Sequence, residues 1–69
     1  MAHPLLRLRE KLNLTQHELS RAAHVGQSNI SHYECGSRYP VVKTAIKLIR
    51  FAKSKGMTIL LHEFYEDLK

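Results

Sequence analysis

The apolar residues near the start of the chain recur at helical spacing. Leu5, Leu8 and Leu12 lie three and four residues apart, which predicts an amphipathic helix from about Pro4 to Leu12. Pro4 suits the first helical position, because its missing N–H would have no partner there. Asn13 can end the helix in a left-handed conformation. No segment of the chain alternates apolar and polar residues for long, so strands are not expected.

The second predicted helix has the clearest start signal. Thr15 and Glu18 stand three residues apart, the spacing of a capping box, in which each side chain satisfies a backbone N–H of the other residue. Leu14 and Leu19 can pack against each other across the helix start. The helix ends before His24-Val25-Gly26. Its core-facing residues are predicted to be Leu19, Ala22 and Ala23.

The third predicted helix, from about Gln27 to Cys35, is mostly polar. Only Ile30 and Tyr33 are expected to face the core, and Gly36 is expected to end the helix. A polar helix that follows a well-capped helix after three residues has the layout of a helix-turn-helix. Because an α-helix fits the major groove of B-DNA, exposed polar side chains on it can hydrogen-bond to base edges.

Two further helices complete the prediction, at about Val41 to Lys55 and about Leu60 to Leu68. Gly56 is expected to stop the fourth helix. The predicted fold is therefore all-α, five helices in a single domain that covers residues 1–69. The expected core positions of these two helices are Val41, Val42, Ala45, Leu48, Ile49 and Ala52, with some of Leu61, Phe64, Tyr65 and Leu68.

Charge adds the first indication of a partner. The chain has 11 Lys and Arg against six Asp and Glu, a formal net charge of +5. The stretch from Arg38 to Lys55 carries no acid at all. Such a surplus attracts polyanions, nucleic acid first and an anionic membrane second, although it is also typical of an ordinary solvated helix face. A membrane role for the fourth helix is disfavoured, because its apolar stripe is needed for the core.

Other classes of function find little support. No apolar run reaches the roughly 18 residues of a membrane span, and the N-terminus lacks the apolar stretch of a signal peptide, so we expect a cytoplasmic, nucleoid-associated protein. The spacing of His24, His32 and Cys35 fits no zinc pattern. No nucleophile stands with a base and an orienting group, and no glycine loop could hold a phosphate. We therefore expect no catalytic residues, no metal and no cofactor.

Two runs of residues carry a resemblance to a known family. These are Leu14-Thr15-Gln16-x-x-Leu19-Ser20-x-x-Ala23 and Gln27-Ser28-x-Ile30-Ser31-x-Tyr33-Glu34-x-Gly36-x-Arg38-x-Pro40. Together they resemble the lambda-repressor-like DNA-binding domains of the Cro/repressor or XRE type, over roughly Leu5 to Leu61. The resemblance implies a five-helix domain that binds double-stranded operator DNA, usually as a symmetric homodimer, and mostly represses transcription.

The resemblance also implies roles for single residues. Gln27 matches the position that pairs with adenine, and Gln16 matches a phosphate contact that often braces Gln27. Arg9 and Glu34 match a partly buried salt bridge. At His24 the chain departs from the family, which mostly has a left-handed Gly there. The implied base contacts are Gln27, Ser28 and His32, and the implied DNA-backbone contacts are Gln16, Asn29, Arg38, Tyr39, Lys43 and Thr44.

The function predicted from these observations is sequence-specific DNA binding by a transcriptional regulator, a repressor that dimerises through its C-terminal segment. The alternative is an antitoxin, which would bind a partner toxin and also its own promoter. Co-purification with a toxin would favour the alternative.

Overall fold

The computed structural model describes residues 3–65, and over that range it contains four α-helices, one 3-10 helix and no strand. The α-helices are α1 (Pro4–Leu12), α2 (Gln16–Ala23), α3 (Gln27–Cys35) and α4 (Val42–Ser54), and the 3-10 helix is Leu61–Tyr65. The all-α prediction is confirmed. The number of α-helices in residues 3–65 is four rather than the predicted five.

The start of α2 is fixed as the sequence predicts. The Thr15 hydroxyl accepts the backbone N–H of Glu18 at 3.1 Å, and the Glu18 carboxylate accepts the backbone N–H of Thr15 at 2.9 Å. These bonds also lower the pKa of Glu18. The capping box is therefore confirmed, and it sets the residue at which the first helix of the motif begins.

A residue with positive φ lies within two residues of the end of each α-helix. The left-handed residues predicted at Asn13 and Gly36 have φ of 56° and 82°, and Gly56 after α4 has φ of 83°. After α3, the N–H of Gly36 bonds to the carbonyl of Tyr33 at 3.2 Å and the N–H of Ser37 to that of His32 at 3.0 Å. This pair of bonds satisfies carbonyls that the helix end would otherwise leave open.

The core lies between the four helices and the 3-10 helix. One salt bridge at its edge joins three helices: Arg9 of α1 donates to both carboxylate oxygens of Glu34 in α3, from Nε at 2.7 Å and from Nη2 at 2.8 Å. Gln16 of α2 donates to the same carboxylate at 3.1 Å. The pair that the family resemblance implied is therefore present. The buried apolar residues are Leu5, Leu8, Leu19, Ala23, Val25, Ile30, Tyr33, Ala45, Leu48, Ala52, Ile59 and Phe64.

Three core predictions were wrong. Val41 and Val42 are 67% and 54% exposed, because Val41 is the extended residue before α4 and Val42 lies in its first turn. Helical periodicity gives the buried face of a helix but not the point along it where the core ends. Ala22 is also exposed, and it lines a shallow apolar depression beside Phe51.

The last element also differs from its prediction. It is a 3-10 helix whose Phe64 is buried, and the rings of Phe64 and His3 are inclined to each other with centroids 5.9 Å apart. The Tyr65 hydroxyl donates to the carbonyl of Pro40 at 2.6 Å, in the loop between α3 and α4. Leu60 and Leu61 remain 53% and 41% exposed. The predicted core role of Leu68 lies outside the described residues.

Candidate nucleic-acid interface

The connection between α2 and α3 has the geometry of a tight turn between two packed helices. His24, which replaces the usual Gly, has φ of 58° and ψ of 44°, so it takes the left-handed conformation that the turn requires. The N–H of Val25 bonds back to the carbonyl of Ser20 at 3.0 Å, and the Val25 side chain is buried. The turn is thus closed by backbone bonds and anchored in the core.

Helix α3 divides into a narrow buried edge and a broad polar face. Ile30 and Tyr33 are its buried residues, at 0% and 7% exposure. Gln27, Ser28 and Ser31 are exposed, and Asn29 and His32 are half-buried. This polar face is the feature on which the predicted DNA contact depends, and core packing does not account for it.

Gln27, at the first position of α3, is held by a residue of α2. Its Oε1 lies 3.2 Å from Nδ1 of His17. The expected brace from Gln16 was wrong, because the amide of Gln16 donates to Glu34 instead. Gln16 is hydrogen-bonded to the carboxylate of the Arg9–Glu34 bridge, and the side chain beside Gln27 is His17.

The far end of the polar face contains a small network of hydrogen bonds. His32 Nδ1 lies 2.9 Å from the hydroxyl of Ser37, and this hydroxyl lies 3.2 Å from Sγ of Cys35. Hydrogen bonds from Ser37 lower the pKa of the exposed Cys35 thiol. The network fixes the ring of His32 against the loop that follows α3.

The predicted backbone contacts lie in that loop and at the start of α4. Arg38, Tyr39 and Lys43 are exposed, and Thr44 is half-buried. Lys47, one turn further along α4, donates to the carbonyl of His24 at 3.4 Å. The six cations from the loop to the residue after α4 are all exposed, and they are Arg38, Lys43, Lys47, Arg50, Lys53 and Lys55.

Among residues 3–65, no three His, Cys, Asp or Glu side chains lie together in a way that could hold a metal ion. Within the same range, every helix is too short or too polar to cross a membrane.

The comparison with protein families agrees with this geometry. A helix-turn-helix family model matches residues 5–59, most of the chain. The chain belongs to the XRE-type helix-turn-helix family. Members of this lambda-repressor-like family bind double-stranded DNA as transcription regulators and are typically not enzymes. No curated protein matches the chain. No solved structure matches it either.

Two contacts of this XRE-type domain were not predicted from its sequence. The sequence alone assigns no role to His17 or to Ser37. The contact between His17 and Gln27 crosses from α2 to α3, and nothing in the local pattern distinguishes His17 from any other exposed histidine. The contact between Ser37 and His32 follows from the tight end of α3, which turns Ser37 back over the last helical turn.

Proposed function

We propose that this XRE-type protein is a transcriptional repressor that binds operator DNA with α3 in the major groove. The observation that carries the proposal is the exposed polar face of α3, immediately after a turn that is closed and anchored. Exposed amide, hydroxyl and imidazole groups on a helix can reach base edges in the groove. Gln27, Ser28 and His32 are the proposed base contacts, and the protein acts in the cytoplasm, where it meets the nucleoid.

Backbone contacts surround this face in the proposal. Their role is to set the register of α3 on the duplex, because phosphate contacts position a protein while base contacts specify the sequence. The exposed charge of Arg38 and Lys43 supports the assignment. The proposed backbone contacts are Gln16, Asn29, Arg38, Tyr39, Lys43 and Thr44.

Substitution of Gln27 tests the proposal. A selection of duplexes from a random pool gives the preferred site, and binding to that site and to single-base variants is then measured for Gln27→Ala. The variant should lose about 1–3 kcal/mol of discrimination at one base pair, because a bidentate amide contact is removed. Ser31→Ala is the matched control, since Ser31 is an exposed residue of α3 without an assigned contact. If Gln27→Ala discriminates as the parent does, α3 does not contact the bases as proposed.

The active form in this proposal is a homodimer joined through the C-terminal segment. The exposed side chains of Leu60 and Leu61 support a protein contact there. A symmetric dimer requires half-sites about 34 Å apart, one turn of B-DNA. Sedimentation of the protein with one selected duplex gives the stoichiometry, and one chain per palindromic site contradicts the dimer.

The same two leucines favour a second candidate, an antitoxin that uses the C-terminal segment to hold a toxin. Leu60→Ser together with Leu61→Ser separates the two functions when the native locus is expressed. Loss of self-association alone supports the homodimer. Loss of a stoichiometric toxin from the purified complex supports the antitoxin.

A further inference from the structure

The side chain that the proposed function places against a base contacts a residue of the neighbouring helix. His17 is the second residue of α2 and is exposed, and its Nδ1 lies 3.2 Å from Oε1 of Gln27, the first residue of α3. The contact therefore crosses the turn of the helix-turn-helix. It links a residue without an assigned role to the residue proposed to contact a base.

The chemistry of the two atoms fixes the direction of the bond. In this structure Oε1 of Gln27 faces His17, and because an amide oxygen only accepts hydrogen bonds, Nδ1 of His17 is the donor in this arrangement. The bond uses one lone pair of Oε1 and turns the –NH2 group of Gln27 away from His17. The outward side of the amide then presents N–H donors and the second lone pair of the oxygen, in a fixed order.

The order matters for base selection. Adenine offers an acceptor at N7 and a donor at N6, and a glutamine amide pairs with both only when its own donor and acceptor face them in the matching order. An amide rotated by 180° presents the reverse order. We propose that His17 is a positioning residue that fixes the orientation of the Gln27 amide and thereby determines the base that Gln27 selects. This inference rests on the proposed function of Gln27.

Gln16, which the family resemblance suggested as the neighbour of Gln27, does not take the role of His17 in this structure. The amide of Gln16 donates to Glu34 at 3.1 Å, in the network that joins α1, α2 and α3. Without His17 the Gln27 side chain is free to rotate before DNA binds, and the duplex must then order it. Ordering one such side chain lowers affinity by roughly threefold to tenfold.

Variants at position 17 distinguish the effect of the hydrogen-bond donor from the effect of the ring itself. His17→Phe keeps a ring of similar size and removes the donor. His17→Asn places an amide –NH2 near the position of Nδ1 and restores a donor. Neither substitution should disturb the fold, because the side chain is exposed and the bond from Ser20 Oγ, at 2.9 Å, goes to the main-chain carbonyl of His17. Glu10→Gln is the control for an exposed substitution elsewhere, since Glu10 is an exposed residue of α1 without an assigned contact.

The experiment measures affinity for the selected duplex and for duplexes changed at single base pairs, with the full chain. His17→Phe should lower discrimination roughly threefold to tenfold at the base pair assigned by Gln27→Ala, and leave the other base pairs unchanged. His17→Asn and Glu10→Gln should keep the discrimination of the parent. In a Gln27→Ala background, His17→Phe should have no further effect, because the side chain that it positions is gone.

Each contrary result has a separate meaning. The positioning role of His17 is wrong if His17→Phe keeps full discrimination or weakens binding to all duplexes alike. It is also wrong if His17→Phe still changes discrimination in the Gln27→Ala background. In these cases the base contact of Gln27 stands. The same holds if His17→Asn fails to restore discrimination. If Gln27→Ala itself changes nothing, the proposed function of Gln27 is wrong and the role of His17 is refuted with it.

Discussion

The carboxylate of Glu34 is the point at which a single substitution should disturb the whole domain. It accepts two hydrogen bonds from Arg9, at 2.7 and 2.8 Å, and one from Gln16 at 3.1 Å. Arg9 also donates to the carbonyl of Leu14 at 3.2 Å. The side chain of Glu34 is 9% exposed and that of Arg9 is 20% exposed. Glu34→Gln keeps the shape of the side chain and removes the charge that these donors face.

The size of the effect follows from this partial burial. Loss of one partner from a fully buried ion pair costs about 3–5 kcal/mol, because the other charge is left uncompensated. Arg9 retains some access to water, so we expect a loss of about 2–3 kcal/mol for Glu34→Gln. A chain of 69 residues has a free energy of unfolding of roughly 3–10 kcal/mol, so the loss is a large fraction of the total.

The same network makes stability depend on pH. Burial raises the pKa of Glu34, but the hydrogen bonds from Arg9 and Gln16 and the charge of Arg9 outweigh it, so the pKa lies below its ordinary value. A carboxylate with a lowered pKa in the folded state stabilises the protein above its unfolded pKa, about 4.3 for glutamate, and loses this contribution as the pH falls through the folded pKa. The loss of unfolding free energy caused by Glu34→Gln should therefore be largest near neutral pH and smaller in acid.

Urea unfolding followed by circular dichroism, at neutral pH and in acid, measures the loss of unfolding free energy and its dependence on pH. Glu10→Gln is the matched control, since Glu10 is an exposed acid of α1 and its loss should change stability by less than about 0.5 kcal/mol. The double variant Arg9→Met with Glu34→Leu should unfold at a higher urea concentration than Glu34→Gln, because it leaves no unpaired charge. If Glu34→Gln lowers the free energy of unfolding by less than about 0.5 kcal/mol, or by the same amount at both pH values, the stabilising role of the Glu34 charge is refuted.

Three further substitutions test separate features of the domain. Thr15→Ala removes the cap on the N–H of Glu18 and should lower the free energy of unfolding in urea by about 1 kcal/mol, whereas an unchanged value shows that the cap contributes nothing. His24→Gly should raise the melting temperature, since His24 has φ of 58° and a left-handed residue other than glycine costs about 1–2 kcal/mol; a lower melting temperature contradicts this. Lys43→Ala should weaken binding to all duplexes alike and reduce the salt slope by about 0.9. With Arg50→Ala as a control on the same helix, an unchanged slope excludes Lys43 from the interface.

Much of the fold was predictable because its signals are local. The bounds of α2 follow from the Thr15 and Glu18 box and from the break at His24, and the end of α3 follows from Gly36. The extent of the core along α4 is not local. Val42 has the same spacing as a buried residue, yet among residues 3–65 no element covers the first turn of that helix enough to bury it.

The candidate site also combines features that the sequence predicts with features that depend on distant contacts. Periodicity alone predicts that α3 has a polar face, because only Ile30 and Tyr33 fall on its buried edge. The partner of Gln27 depends on how α2 and α3 cross, and no spacing along the chain indicates it. The resemblance to the family suggested Gln16 for this role, and in this chain Glu34 binds Gln16 instead. The 3-10 form of the last element likewise depends on distant contacts, through Phe64 in the core and Tyr65 on Pro40.

The bond from Tyr65 to Pro40 has a consequence for regulation. It fastens the end of the described chain to the loop that carries Arg38 and Tyr39, and the rings of Tyr39 and Tyr65 lie 6.4 Å apart. A second molecule that binds the 3-10 helix with different affinity in the DNA-bound and DNA-free states must change the affinity of the protein for DNA. By linkage, DNA changes the affinity for that molecule by the same factor. Such a molecule can thus control DNA binding through the hydroxyl of Tyr65.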